Sequence, residues 1–211
     1  MRFERLAQSL ETLAGQPQLA AMAKDAAADE NRHAEQCCAL VRYFGEEMTA
    51  REELVDRQVA PKGCTPTEGL LYEMVAMSCV TETLSCALLG ALVERAADSR
   101  VKEEMHSILK DEIGHSRLGW AFLATGLSSD AKQFVAHHLP AMLRGTVTRE
   151  LFEQRPPHQL EEPLSGLGAL TRLERVDIFR ESMQKVVFPG LERFGIDARL
   201  GADWLKQQLE S

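Results

Sequence analysis

The chain has 211 residues and a mass of 23.5 kDa, enough for one well-buried domain and short for two independent ones. Its 24 Lys+Arg against 32 Asp+Glu leave a net charge of −8, which argues against a nucleic-acid footprint, since that needs a concentrated basic face. Hydrophobic residues at 45% and charged residues at 27% exclude wholesale disorder, and an aromatic share of only 6% favours packed helices over sheets.

The opening Met1-Arg-Phe-Glu-Arg-Leu alternates charge and lacks an apolar run, which predicts neither a secretory signal nor a mitochondrial presequence. A short helix over residues 2–14 ends at Gly15-Gln16-Pro17. Pro17 then opens a long helix that reaches Phe44 and stops before Gly45. Residues 45–65 carry Gly45, Pro61, Gly63 and an acidic run from Glu46-Glu47 to Glu52-Glu53, the composition of a long solvated connection. Thr65-Pro66-Thr67-Glu68 is a capping signal for a third helix that runs to residue 97. Asp98-Ser99 makes a corner, and a fourth helix reaches Thr125 before Gly126.

Residues 127–211 continue in helical patterns: one or two helices over 128–152 broken at Pro140, an irregular linker from Pro156-Pro157 to Gly168, a helix over 171–194 bent at Pro189-Gly190, and a last helix over 197–209. No stretch approaches ~18 uncharged apolar residues, so no membrane span is predicted. The five cysteines, Cys37, Cys38, Cys64, Cys79 and Cys86, are odd in number and lack a Cys-x-x-Cys spacing. Four lie in apolar helical patterns, which reads as reduced thiols in a cytoplasmic protein.

Spacings of three and four define a core stripe on each long helix. On the second it is Leu19, Ala23, Ala26, Glu30, His33, Cys37, Leu40, Phe44; on the third, Leu71, Val75, Cys79, Glu82, Cys86, Leu89, Val93; on the fourth, Val101, Met105, Ile108, Glu112, His115, Gly119, Phe122. Each stripe is apolar at its ends and ionisable near its middle. Buried charge costs several kcal/mol per ion unless it is paired. No Lys or Arg lies on these stripes, and Arg32, Arg42, Lys110 and Arg117 all fall beside them.

A divalent metal would supply the missing positive charge. Glu30-Asn-Arg-His33 and Glu112-Ile-Gly-His115 both have the spacing that projects two ligands from one side of a helix. Glu82 lies 16 residues before the Asp98 corner and Glu112 lies 14 after it, so at ~1.5 Å rise per residue the two carboxylates differ in height by only ~3 Å. The predicted metal ligands are Glu30, His33, Glu82, Glu112 and His115. A hydrogen-bonded polar layer without metal is the alternative.

With Ala28-Asp29-Glu30-Asn31-Arg32-His33-Ala34 and Asp111-Glu112-Ile113-Gly114-His115-Ser116-Arg117, the chain resembles the ferritin-like di-metal carboxylate superfamily of ferritins, rubrerythrins and di-iron oxidases and oxygenases. It is most similar there to small bacterial ferritin-like proteins of undefined activity. The resemblance covers residues 1–125. It implies an all-α ferritin-like four-helix bundle with a long crossover, here with a short first helix, and residues 126–211 would form a C-terminal helical extension packed on that bundle as one compact domain. It also implies two divalent ions, iron first with manganese or zinc as alternatives, and a carboxylate from the first helix. The first-helix stripe is Phe3, Leu6, Leu10, Leu13, with no carboxylate. Glu4 lies ~100° off it, and Glu11 is nearer the loop. Five of the usual six ligands are therefore present, which leaves open two ions with added water, a single ion, or a longer natural chain that completes the set.

The leading functional expectation is a non-haem di-iron or iron/manganese protein that activates O2 or peroxide toward a small organic substrate, with Glu82 bridging the ions. The alternatives are iron handling as a ferroxidase without organic turnover, or a metal-free bundle acting as an interaction module. No nucleic-acid or membrane partner is expected. A homodimer would cover the groove that the short first helix leaves open. The remaining candidates are read as structural: Cys37 and Cys86 as small buried hydrophobes, Tyr43 and Tyr72 as packing residues, His106 as solvated, and His137-His138 as a surface pair without partners.

Overall fold

The computed structural model describes residues 2–46, 59–147, 151–152 and 169–210, and among these the fold is all-α. The helices are α1 (Arg2–Thr12), α2 (Pro17–Tyr43), α3 (Pro66–Arg95), α4 (Ser99–Ala124), α5 (Ser129–Thr146), α6 (172–193) and α7 (Arg199–Glu210). Most of the acidic connection and the Pro156-to-Gly168 linker lie outside the described residues.

Local chemistry sets the boundaries. Gly15, Gly45 and Gly126 take the left-handed conformation that ends α1, α2 and α4. Thr65 and Glu68 close a reciprocal capping box at the start of α3, and Thr171 and Glu174 repeat it at α6. The Asp98 carboxylate accepts from the Val101 amide at 3.0 Å and starts α4. Leu13 and Phe44, on stripe positions by spacing, are exposed because each lies past the last helical residue.

Two prolines behave differently from expectation. Pro140 does not interrupt α5, because Val135, Leu139, Met142 and Leu143 are buried around it. Their burial, ~1.5–3 kcal/mol each, outweighs the ~3 kcal/mol cost of a helical proline. In α6 the helix passes through Pro189 behind a π-helical turn, Met183–Val187, which widens the ladder where the ring would meet a preceding carbonyl.

α3 is the axis of the molecule. Its residues from Gly69 to Val80 are all buried, and within it Met74–Thr81 is π-helical. By length and composition it could cross a membrane, with a mean hydropathy of 1.6 over a window that is 56% buried against the rest of the protein. A core helix meets the same test, and Glu73 and Glu82 break its uncharged runs. α1 packs on α2 and the start of α3, α2 packs on α4, and α4 runs along α3. α5 covers the beginning and π segment of α3, α6 lies on its second half, and α7 packs on α5.

In the first turn of α1, the Arg5 guanidinium donates to Glu73 (Nη2 to Oε1, 3.3 Å), and the Val59 amide donates to the same carboxylate at 2.9 Å. Glu73 is buried between the stripe residues Leu71 and Val75, two positions from each, and it joins α1 and the end of the connection to α3.

Gly119 is where α4 and α3 touch most closely. A Cβ there would lie 2.7 Å from Cys79 Sγ and 2.8 Å from the Cys79 backbone nitrogen. Gly119→Ala is therefore expected to lower unfolding stability by about 1–3 kcal/mol, seen as a lower urea midpoint at unchanged slope. A midpoint equal to wild type would show that the two helices can part without cost.

Candidate metal centre

Midway along α2, α3 and α4 the apolar stripes give way to the predicted ionisable groups. Glu30 of α2, Glu82 of α3, and Glu112 and His115 of α4 each present a ligand atom, all within 4.8 Å of one another. Glu82, Glu112 and His115 are buried, whereas the Glu30 side chain is 39% exposed and forms the solvent side. The fifth predicted residue, His33, is also buried, with Nδ1 3.5 Å from Glu112 Oε1 and 4.0 Å from Glu30 Oε2. All five thus meet at one level of the fold, four of them as a tight group.

The imidazoles are held by crossed contacts. His33 Nε2 of α2 lies 3.0 Å from Asp111 Oδ2 of α4, and His115 Nε2 of α4 lies 3.3 Å from Asp29 Oδ2 of α2. The Arg32 guanidinium donates to both aspartates at 2.7 Å, closing the arrangement at the surface. With Nε2 occupied, both rings turn Nδ1 toward the carboxylates, the orientation a carboxylate-braced metal-binding histidine adopts. Asp29 and Asp111 had a signal in the sequence. The repeat is Asp-Glu-x-x-His in both copies, one residue longer than the ligand pair alone. Arg32, off the core stripe as expected, still serves the centre from outside.

Among the described residues, three buried atoms of this centre lack a hydrogen-bond partner: His33 Nδ1, His115 Nδ1 and Glu112 Oε2. His115 Nδ1 lies 3.4 Å from Glu112 Oε2 and 3.5 Å from Glu30 Oε1, close enough for charge attraction but off the line of a hydrogen bond. Orphaned buried polar atoms are rare because each costs on the order of 1–3 kcal/mol. Here they converge, and together with the carboxylates they form a nitrogen–oxygen donor set suited to a divalent transition ion. The residues present therefore fit such an ion.

Without an ion the electrostatics are strained. Burial, followed by the neighbouring Glu112 and Glu30 carboxylates, pushes Glu82 well above the usual carboxylate range. Burial opposes charge on His115, but Glu112, Glu30 and Asp29 outweigh it and raise that imidazole to about 10. His33 is likewise raised against burial by Glu112 and Asp111. Glu112, although buried, is held low by His115, His33 and Glu82. Protonated imidazoles thus take the place of the basic partner that the stripes lack.

The other candidates fall outside the centre. α1 presents Phe3, not a carboxylate, with its ring 5.2 Å from that of His115, and Glu4 lies on the exposed face. Cys37 is exposed rather than buried, because the ~16 Å of α1 covers at most half of the ~40 Å of α2. Cys86 is half-buried, and burial beside Glu112 and Glu82 pushes its thiol up to about 11. Tyr43 lies at the surface under Arg100, Tyr72 is buried edge-on to His138, and His106 is exposed. His138 does have partners: its Nδ1 lies 2.9 Å from the Phe134 carbonyl and its ring 4.2 Å from that of Phe134.

No protein-family model, curated protein or solved structure matches this chain.

Proposed function

We propose that this is a non-haem metalloprotein, with iron or manganese held by the Glu/His centre, that activates O2 or peroxide toward a small organic substrate. The observation that carries this reading is the convergence of the orphaned buried atoms of His33, His115 and Glu112 on Glu30 and Glu82. A ferritin-like arrangement of α1 to α4 is part of the proposal, supported by the antiparallel α3–α4 pair and the repeated Asp-Glu-x-x-His on α2 and α4. A bound redox-active ion would supply electrons to the oxidant.

The chain's own residues have distinct parts in this reading. Glu30, Glu82, Glu112 and His115 bind the ion. Asp29 and Asp111 keep the imidazole Nε2 atoms engaged so that Nδ1 stays turned inward. Glu30, the exposed member of the group, marks the side from which a small molecule reaches the centre.

Metal analysis of anaerobically prepared full chain, followed by its optical spectrum on adding O2, tests the proposal. Near-stoichiometric iron or manganese, a spectral change with O2, and loss of both in Glu112→Ala are expected. A wild-type protein without stoichiometric metal, together with unchanged metal content and stability in Glu112→Ala, would overturn it.

A further inference from the structure

The centre is nearly symmetric in its histidines and aspartates but not in its carboxylates. On the His115 side Glu82 of α3 completes a set of four converging residues. On the His33 side no third helix contributes among the described residues. The donors there are His33 Nδ1 and the two carboxylates already shared with the other side, at 3.5 Å (Glu112 Oε1) and 4.0 Å (Glu30 Oε2). Phe3, 3% exposed, is what α1 buries beside the centre. Asp111 engages the opposite ring nitrogen, His33 Nε2, and Arg32 through its Oδ2. Among the described residues no other His, Cys, Asp or Glu joins this group.

The geometry points to a centre that holds a single tightly bound divalent ion at Glu30, Glu82, Glu112 and His115, with His33 serving as a hydrogen-bonding group beside it rather than as an essential ligand. This rests on the metal-binding reading above and departs from the two-ion occupancy that the family resemblance implies. His33 Nδ1, left without a hydrogen-bond partner among the side chains, is then available to a water or substrate atom next to the ion. In that role it is a positioning residue for whatever binds there.

Anaerobic titration of metal-stripped full chain with Mn(II), followed by calorimetry and electron paramagnetic resonance, tests this. One equivalent should bind tightly, any second at least ~100-fold more weakly, with the signal of an isolated ion rather than a carboxylate-bridged coupled pair. His33→Gln should keep that equivalent with its affinity changed less than ~10-fold, while Glu82→Gln should weaken it by more than that, a 10-fold change being ~1.4 kcal/mol. Two equivalents of comparable affinity, a coupled-pair signal, or loss of the tight ion in His33→Gln would overturn the single-ion inference while leaving the metal-binding reading intact. Absence of any Mn(II) binding by the wild type would overturn both.

Discussion

Replacing Glu82 by Leu is expected to stabilise the metal-free protein by about 1–3 kcal/mol and to abolish its stabilisation by metal. Glu82 is 7% exposed, its carboxyl is driven toward the neutral form by burial, and its nearest charged neighbours in the group include Glu112 and Glu30. A buried carboxyl among carboxylates gains little in the folded state unless a cation joins them, and a leucine of similar size relieves the cost. Wild-type protein should respond to Mn(II) with RT ln(1 + [L]/Kd), about 2.7 kcal/mol at a hundredfold excess over Kd. For a chain of this length that is a rise of ~5–10 °C in Tm. Glu82→Leu should show neither term. Glu82→Gln, which keeps shape and a donor toward Glu112, should stay within about 1 kcal/mol of wild type without metal and also lose most of the response. Urea unfolding with and without chelator measures all three. If Glu82→Leu were destabilised equally in both conditions, Glu82 would be a member of a structural polar layer and the centre would not be built for an ion.

What was legible in the sequence followed from periodicity. Glu30, His33, Glu82, Glu112 and His115 lie on apolar stripes, and a stripe fixes which side of a helix meets the core, so these residues could be brought to one level before any coordinates. The Asp98 corner fixed the height of Glu82 against Glu112 in the same way. The flanking chemistry of Asp29, Asp111 and Arg32 escaped because these residues lie off the stripe. Their contacts run obliquely between helices, and within one helix the sole trace of them is the Asp that precedes each Glu-x-x-His. Burial was over-assigned at Cys37, since a stripe says which face would be covered and not whether a neighbouring helix is long enough to cover it. Glu73 was missed for the converse reason. Inside an all-round buried stretch of α3 there is no polar face to compare it with, and its partner Arg5 comes from 68 residues away. The helical continuity through Pro140 and Pro189 depended on tertiary burial and on a π-turn, neither of which a local breaker rule contains.

Metal-free stability should fall as pH rises from 6.5 to 8.5, by on the order of 1–2 kcal/mol, while metal affinity rises over the same interval. In the folded chain the His115 imidazole stands at about 10 against an ordinary value of 6.5, and His33 is raised in the same direction. A group raised on folding stabilises fully below its unfolded value and loses that contribution as pH climbs toward its folded one. The loss therefore begins near 6.5. Glu82, raised from the carboxylate range, has the same sign. Glu112 is lowered, so its contribution is present above 4.5 and disappears only as pH falls through its depressed folded value, outside this interval. At 8.5 the thiols, whose ordinary value is 9.0, begin to add a loss of the same sign, since burial raises Cys37 and Cys86 in the fold. An ion needs the His115 Nδ1 lone pair and ionised carboxylates, so binding must displace protons, and each proton displaced tightens binding by up to ~10-fold per pH unit. The two slopes are thus opposite in sign and share one origin. Unfolding in chelator at pH 6.5, 7.5 and 8.5, beside Mn(II) titrations at the same values, should show them together. In His115→Gln the stability slope should flatten and the affinity slope should vanish with the binding itself. A metal-free stability that rises across this interval would mean that the imidazoles are neutral in the fold and that the Glu112 carboxylate is balanced by something other than His33 and His115.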